Sequence, residues 1–147
     1  MTKIALVDDD QSILTSVSMI LKTEGFKVDT FINGLEALKG LESQNYDLGL
    51  FDIKMPKMDG NELLSKIRKN KNPDLREMPI IFLTSKDQEQ DEIIGLRMGA
   101  ADYIKKPFSQ KLLIERIRTV IRIYSYRNNE KNSDYNENVN YKRGDLE

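Results

Sequence analysis

Three aspartates at the ends of two apolar runs could do chemistry together. Asp8 and Asp9 directly follow the run 3–7 (KIALV), and Asp52 follows the run 47–51 (DLGLF). Two carboxylates about 4 Å apart repel by roughly 4 kcal/mol at an effective dielectric constant of about 20, so such crowding needs a compensating charge. Mg²⁺ prefers oxygen ligands and takes one or two carboxylates together with phosphate oxygens. The aspartates therefore predict a site for a hard divalent cation, with Mg²⁺ as the candidate.

Other polar residues near the apolar runs also have ordinary structural uses. Asp is common in turns and at helix N-caps, and this suffices to explain Asp10 and Asp59. Thr84 follows another apolar run and would serve equally as an N-cap, while Lys106 would serve as a surface lysine. Each of these residues is weak support for a functional site when it is taken alone.

The composition excludes several kinds of site. The 147 residues include no Cys and no His, which rules out disulfides, thiolate catalysis and Cys-ligated metals and removes the usual general base. The net charge of −1 gives no electrostatic reason to expect binding to nucleic acid or a membrane. The first residues lack the pattern of a signal peptide, and no run approaches the roughly 18 apolar residues of a membrane span. We expect a cytoplasmic protein without membrane contact.

The elements that must position the polar residues follow from the hydrophobic pattern. Short apolar runs predict five strands, at 3–7, 27–31, 47–51, 79–83 and 102–104. The second run alternates, which indicates an edge strand, whereas the others suit strands buried on both faces. Helical periodicity follows each run and predicts five helices, the last from about 109 to 126.

Strands that alternate with helices imply right-handed crossovers and a parallel sheet. We expect a doubly wound α/β fold, a flavodoxin-like (βα)5 domain with strand order 2-1-3-4-5, whose ligand site lies between the carboxyl ends of strands 1 and 3. Asp8, Asp9 and Asp52 lie at those ends. Residues 1–127 form the predicted domain, because the following segment 128–147 is rich in Asn and reads as a polar linker.

Four motifs occur in a fixed order along this pattern. LVDD ends at Asp9, D-x-x-M-P-x-M-D-G starts at Asp52, T-S starts at Thr84 and Y-x-x-K-P-F starts at Tyr103. Together they resemble the receiver domain of bacterial two-component response regulators (CheY-like), over residues 3 to about 125.

The resemblance implies a role for each site residue. Asp52 matches the phospho-acceptor, which takes a phosphoryl group from a sensor histidine kinase. Asp9 matches the acid that binds Mg²⁺ directly, Asp8 matches the acid that acts through a water molecule, and the carbonyl of Lys54 would be a further ligand. Lys106 matches the lysine that pairs with the acceptor carboxylate and then with the phosphoryl group.

The resemblance also implies a conformational switch. Thr84 and Tyr103 match the family's switch pair, in which the hydroxyl moves to bond the phosphate and the aromatic ring swings inward. The peptide bond that follows Lys106 is usually cis in this family. We further predict that the side chains of Lys54 and Lys86 flank the path of the hydrolytic water and slow dephosphorylation.

The output of the switch is suggested by a narrower resemblance. Residues 95–122 (GLRMGAADYIKKPFSQKLLIERIRTVIR) resemble the OmpR/PhoB-type regulators, which carry a winged-helix DNA-binding domain, and 141–147 (YKRGDLE) resemble the opening strand of that domain. We expect a receiver and linker that stop just inside a winged helix missing from this chain. A polar tail in which Leu146 and Glu147 are a cloning scar is the other interpretation.

In that subclass, phosphorylation promotes a two-fold homodimer through the fourth helix, the fifth strand and the fifth helix. Asp102 and Arg116 match one intersubunit ion pair, and an apolar patch would be supplied by Ile93, Leu96 and Ile114. The sequence departs from the subclass at two positions where charged residues are usual, Ala101 and Leu112. We therefore expect this dimer to be weaker or differently arranged.

Rival functions remain at this stage. A stand-alone receiver that controls a protein target shares every motif. A phosphatase with an Asp nucleophile needs an acid two positions later, where Lys54 lies, and a nucleotide-binding domain needs a glycine-rich loop after the first strand. We expect no enzyme beyond the chain's own phosphoryl transfer and dephosphorylation, and no DNA binding by these residues alone.

Overall fold

The computed structural model describes residues 1–85 and 89–140. A parallel sheet with the order β2-β1-β3-β4-β5 forms its centre. The five strands are β1 (Lys3–Val7), β2 (Lys27–Phe31), β3 (Leu48–Asp52), β4 (Ile80–Thr84) and β5 (Asp102–Lys105). The predicted fold class and strand order are confirmed.

Six helices occur in the described ranges: α1 (Gln11–Thr23), α2 (Gly34–Ser43), α3 (Gly60–Arg68), α4 (Pro73–Arg76), α5 (Glu89–Arg97) and α6 (Gln110–Asn140). The short α4 was not predicted, because its four residues are too few for a periodic pattern. Asn72 caps it and Pro73 occupies its first position, a common arrangement at a helix start. The fourth and fifth predicted helices therefore correspond to α5 and α6.

The last helix is longer than expected. It continues to Asn140, whereas the periodicity predicted an end near 126. Residues 127–140 contain neither Gly nor Pro, the two strong helix breakers, so their Asn-rich composition weakens a helix without stopping it. The domain boundary near 127 stays a prediction. None of the described helices, the long α6 included, has an apolar stretch sufficient to cross a membrane.

The sheet separates two hydrophobic cores. Alternate residues of β1 point to opposite faces, so Ile4 and Leu6 pack with α1 and α6, while Ala5 and Val7 pack with α2 and α3. Every residue of β3 is buried. Burial of each large apolar side chain stabilises the fold by about 1.5–3 kcal/mol, so the two cores hold the strands firmly. The strand ends are thus rigid supports for any side chain that follows.

Two of the aspartates do the structural work that the sequence suggested. Asp10 caps α1, and its carboxylate accepts a hydrogen bond of 2.9 Å from the Ser12 N–H. Asp59 caps α3 in the same way, with 2.8 Å to the Glu62 N–H. Neither carboxylate is needed to explain the cluster at the ends of β1 and β3.

Candidate functional site

Asp8, Asp9 and Asp52 meet at the carboxyl edge of the sheet. Strands β1 and β3 pair in parallel, with Val7 opposite Phe51, and this brings the residues that follow side by side. One carboxylate oxygen from each aspartate lies within 4.8 Å of the others. Asp8 and Asp52 are buried and Asp9 is exposed, so the cluster opens to solvent on one side.

Lys106 reaches this cluster from the loop between β5 and α6. Its Nζ lies 3.2 Å from Asp8 Oδ2 and 3.4 Å from Asp52 Oδ1. Its backbone N–H donates to the carbonyl oxygen of Thr84 at 2.7 Å, and its peptide bond to Pro107 is cis. The neighbouring Lys105 is exposed. The structure thus brings Lys106 to the acceptor carboxylate.

The charges in the cluster are unbalanced. Burial raises the pKa of Asp52 to about 6, and the negative charge of Asp8 adds to this effect, while Lys106 opposes it. Burial acts to lower the pKa of Lys106, but the carboxylates of Asp52 and Asp8 outweigh burial and raise it. One ammonium group therefore does not offset three carboxylates, and the arrangement suits an additional cation.

The loop from β3 to α3 passes close to Asp52. Lys54 lies in this loop with an exposed side chain, whereas Lys86 lies outside the described residues. Gly60 donates its backbone N–H to the Ile53 carbonyl at 2.7 Å. A Cβ at Gly60 would lie 2.5 Å from the Asp52 carbonyl oxygen, so only glycine fits there. The motif D-x-x-M-P-x-M-D-G ends at this glycine, but the sequence alone does not reveal its contact with the Asp52 backbone.

Thr84 and Tyr103 lie on adjacent strands near the cluster. Thr84 is fully buried and its hydroxyl donates to the carbonyl oxygen of Ser85 at 3.1 Å. The Tyr103 ring packs on Phe82, with 5.5 Å between the ring centroids, and its hydroxyl oxygen is buried. In this structure the ring therefore has the inward arrangement.

The residues predicted for a dimer differ in their exposure to solvent. Ile93 and Leu96 are 46% and 58% exposed on α5. Ile114 is 8% exposed and packs in the core with α1, so its contribution to a dimer patch stays a prediction. Its position on α6 fits the buried stripe, which the sequence pattern already allowed.

Asp102 and Arg116 pair with each other inside the chain. The Arg116 guanidinium lies 2.9 Å from Asp102 Oδ2 and also donates to the Tyr103 carbonyl oxygen at 3.2 Å. An intersubunit pair between these residues stays a prediction. We call the exposed residues of α5, β5 and α6 the α5–β5–α6 surface; its exposed large apolar members are Ile93, Ile94, Leu96, Leu112 and Ile123.

Comparison with known sequences identifies several relatives. The alkaline phosphatase synthesis transcriptional regulatory protein PhoP of Bacillus subtilis (strain 168) is 40% identical over 120 residues, which are 82% of this chain and 48% of that protein. The transcriptional regulatory protein CpxR of Escherichia coli (strain K12) is 37% identical over 134 residues, or 91% of this chain and 55% of that protein. The chain spans about half the length of the curated relatives it matches.

Comparison with solved structures gives the same fold. A CheY-like response regulator receiver domain protein from Methanospirillum hungatei JF-1 is 35% identical with a TM-score of 0.80, covering 86% of this chain and 98% of that chain. The chemotaxis protein CheY4 of Vibrio cholerae is 31% identical with a TM-score of 0.76, covering 82% of this chain and 98% of that chain.

A family description matches most of the folded region. "Response regulator receiver domain" covers residues 4–118, which include all but the first residue of the five strands, the aspartate cluster and Lys106. The match agrees with the strand order, with the placement of the cluster at the carboxyl edge and with the relatives above. The chain belongs to the response regulator receiver domain family.

Proposed function

We propose that this chain is a phospho-accepting signal receiver in which Asp52 takes a phosphoryl group from a sensor histidine kinase. The proposal rests on the position of the Asp52 carboxylate, which lies beside Asp8 and Asp9 and 3.4 Å from Lys106 Nζ. Receiver domains of response regulators interact with sensor kinases, which supports the class of partner.

The chemistry that these residues suit is phosphoryl transfer by positioning and charge neutralisation. A carboxylate oxygen of Asp52 attacks the phosphorus of a phosphohistidine in line, the P–O bond forms and the P–N bond to the imidazole breaks. Lys106 leaves its contact with the carboxylate and neutralises charge on the transferred group. Water then hydrolyses the aspartyl phosphate to inorganic phosphate and regenerates the carboxylate.

The donor set suits Mg²⁺, which receiver domains bind at an acidic pocket. The oxygens come from Asp8, Asp9, Asp52 and the carbonyl of Lys54, and three of the carboxylate oxygens already lie within 4.8 Å of one another. Hard oxygen ligands of this kind, with excess negative charge, are those that Mg²⁺ prefers. When bound, the ion supplies positive charge to the phosphoryl oxygens.

The chain is not an enzyme in the usual sense under this proposal. Asp52 is consumed in each transfer and returns only after hydrolysis, so the reaction that the chain catalyses is its own modification and dephosphorylation. No separate substrate pocket is required. The buried carboxylate supplies the nucleophile, and the lysine together with a bound Mg²⁺ would supply the positive charge.

Phosphorylation acts on the α5–β5–α6 surface through Thr84 and Tyr103 in this proposal. The Thr84 hydroxyl exchanges its bond to the Ser85 carbonyl for one to the phosphate, and this movement favours the inward position of the Tyr103 ring over the outward one. The altered surface promotes a homodimer, which controls transcription through a DNA-binding domain outside these residues. The names of the relatives PhoP and CpxR, both transcriptional regulatory proteins, support this output.

A second candidate is a stand-alone receiver that controls a protein target. The likeness to the chemotaxis protein CheY4 favours it, because the alignment covers 98% of that chain without a further domain. Sedimentation of the phosphorylated chain shows whether it dimerises. A phosphorylated chain that stays monomeric supports this candidate over the first.

Intact mass spectrometry after incubation with acetyl phosphate and Mg²⁺ tests the acceptor. The wild-type chain gains one phosphoryl group, Asp52→Asn gains none, and removal of Mg²⁺ with a chelator prevents the gain. Asp59→Asn is the matched control, since it changes an aspartate that caps α3 and lies outside the cluster. No gain by the wild-type chain would refute the proposal and leave a receiver that is not phosphorylated.

A further inference from the structure

Gly95 lies in the last turn of α5, directly against the Tyr103 ring. A Cβ added there would lie 1.9 Å from the Tyr103 hydroxyl oxygen and 3.1 Å from Tyr103 Cζ. It would also lie 3.0 Å from Phe82 Cε2. Carbon atoms in packed interiors are separated by about 3.5–4.0 Å. The ring and any side chain at Gly95 therefore compete for the same space.

The backbone of α5 does not need glycine at this position. The turn that ends α5 is made by Gly99, whose φ of +93° favours glycine, whereas Gly95 lies within the helix, where its carbonyl accepts hydrogen bonds from Met98 and Ala100. Glycine in a helix interior lowers the folding equilibrium constant about four-fold relative to alanine. The absence of a side chain at Gly95 is explained by the Tyr103 ring, which occupies the space that a Cβ would need.

The strand that carries Tyr103 cannot move away from a side chain at Gly95. Tyr103 pairs with Phe82 in the β4–β5 ladder, and Arg116 donates to the Tyr103 carbonyl oxygen at 3.2 Å. The side-chain torsion of Tyr103 is the freedom that needs no change of backbone. A clash at Gly95 is thus relieved by rotation of the ring out to solvent.

We propose that Gly95 is a positioning residue that admits the Tyr103 ring to its half-buried place under α5, and that a side chain at this position holds the ring outward and uncouples the switch. The contact itself is independent of phosphorylation. Its regulatory consequence rests on the proposed function of Asp52 and Tyr103.

Fluorine NMR of the full chain labelled with 3-fluorotyrosine observes the ring directly. The sequence has six tyrosines, and Tyr103→Phe assigns the resonance of interest. In Gly95→Ala this resonance moves to the position and solvent isotope shift of an exposed tyrosine, while the other five stay unchanged. A Tyr103 resonance that stays buried in Gly95→Ala would overturn the proposal.

A double-mutant cycle separates the steric contact from helix propensity. In a Tyr103→Ala background, Gly95→Ala raises the folding equilibrium constant about four-fold, as alanine does in helices. In the wild-type background this gain is lost or reversed, because the ring must leave its half-buried place. Equal gains in the two backgrounds, measured by urea unfolding without phosphorylation, would overturn the contact.

The regulatory consequence is tested with acetyl phosphate and Mg²⁺. Gly95→Ala takes up the phosphoryl group as the wild-type chain does, but the phosphorylation-dependent gain in dimer affinity falls about tenfold. A full response with the ring outward would overturn the role in switching. Absence of phosphorylation in the wild-type chain would instead refute the proposed function of Asp52, and the NMR and the cycle would still decide the contact.

Discussion

The aspartate cluster and the α5–β5–α6 surface differ in how firmly their side chains are held. Asp8 and Asp52 are buried, and Lys106 contacts both of them at the ends of strands that two cores support. On the other surface Leu96 and Ile123 are 58% and 47% exposed and project from helices into solvent. The proposed phosphoryl transfer therefore relies on rigid elements, whereas the proposed output relies on exposed side chains.

This difference in burial predicts how freely each region can change in sequence. Phosphoryl transfer needs fixed distances between the carboxylates and the ammonium, so few substitutions preserve it. An exposed contact surface can exchange charged for apolar residues without loss of the fold. Leu112, which replaces a charged residue of the resembled subclass, lies in this second region. We therefore expect the α5–β5–α6 surface to determine which protein chain this one contacts.

The largest expected effect comes from removal of the ammonium group in the cluster. Lys106→Met lowers the rate of phosphorylation by acetyl phosphate about a hundred-fold, because the charge on the transferred group loses a positioned cation. Lys105→Met is the matched control, since this neighbour is exposed and outside the cluster. Equal rates for both variants in a mass-spectrometric time course would contradict the role of Lys106.

The next effect concerns stability, and it follows from the charge imbalance. The pKa of Asp52 is about 6 in the folded chain against 3.8 for an ordinary Asp, so folding disfavours the charged carboxylate. This destabilisation is absent below about pH 4, develops between the two pKa values and is complete above about pH 6. Asp52→Asn removes it and raises the free energy of unfolding by up to about 3 kcal/mol at pH 7 without Mg²⁺.

Urea unfolding at pH 4 and pH 7 with a chelator measures this effect. Asp59→Asn is the control, because asparagine caps a helix as well as aspartate does and Asp59 lies outside the cluster. Mg²⁺ then stabilises the wild-type chain more than Asp52→Asn. A stability gain at pH 4 as large as that at pH 7 would show that the carboxylate charge is not its cause.

The buried elements could be predicted from the sequence better than the exposed surface. The strand runs and the acids that follow them gave the fold and the cluster, because burial on both faces leaves a continuous apolar pattern. The ends of β3 and β4 lie one residue later than predicted, since Asp52 and Thr84 are polar but still pair in the sheet. The position of Lys106 came from the family motif and not from periodicity.

The sequence was less informative where single residues have several uses. Ile114 fitted a surface patch and a buried stripe equally, and packing places it in the core. The continuation of α6 to Asn140 has no periodic signal, because its Asn-rich segment lacks an apolar stripe. The close approach of Gly95 to Tyr103 joins residues of two elements and appears only in three dimensions.

A smaller effect is expected on the α5–β5–α6 surface. Leu96→Asp weakens the phosphorylated dimer about tenfold, because it places a charge in an apolar contact. The free energy of unfolding changes little, since Leu96 is 58% exposed. Met19→Asp on α1 is the matched control, an exposed apolar residue outside this surface. Sedimentation of phosphorylated chains measures the difference, and equal weakening by both variants would contradict a contact through Leu96.

The smallest effect is expected from an exposed residue near the cluster, through the rate at which the aspartyl phosphate is hydrolysed. Lys54 lies two positions after Asp52 with an exposed side chain, and its charge and bulk are predicted to hinder the hydrolytic water. Lys54→Asn therefore speeds loss of the phosphoryl group a few-fold, and Lys86→Ala adds to this effect. Lys57→Asn removes the same charge at a position whose φ of +70° asparagine tolerates, so it is the control. An unchanged half-life in the double variant would confine control of the chemistry to the buried residues of the cluster.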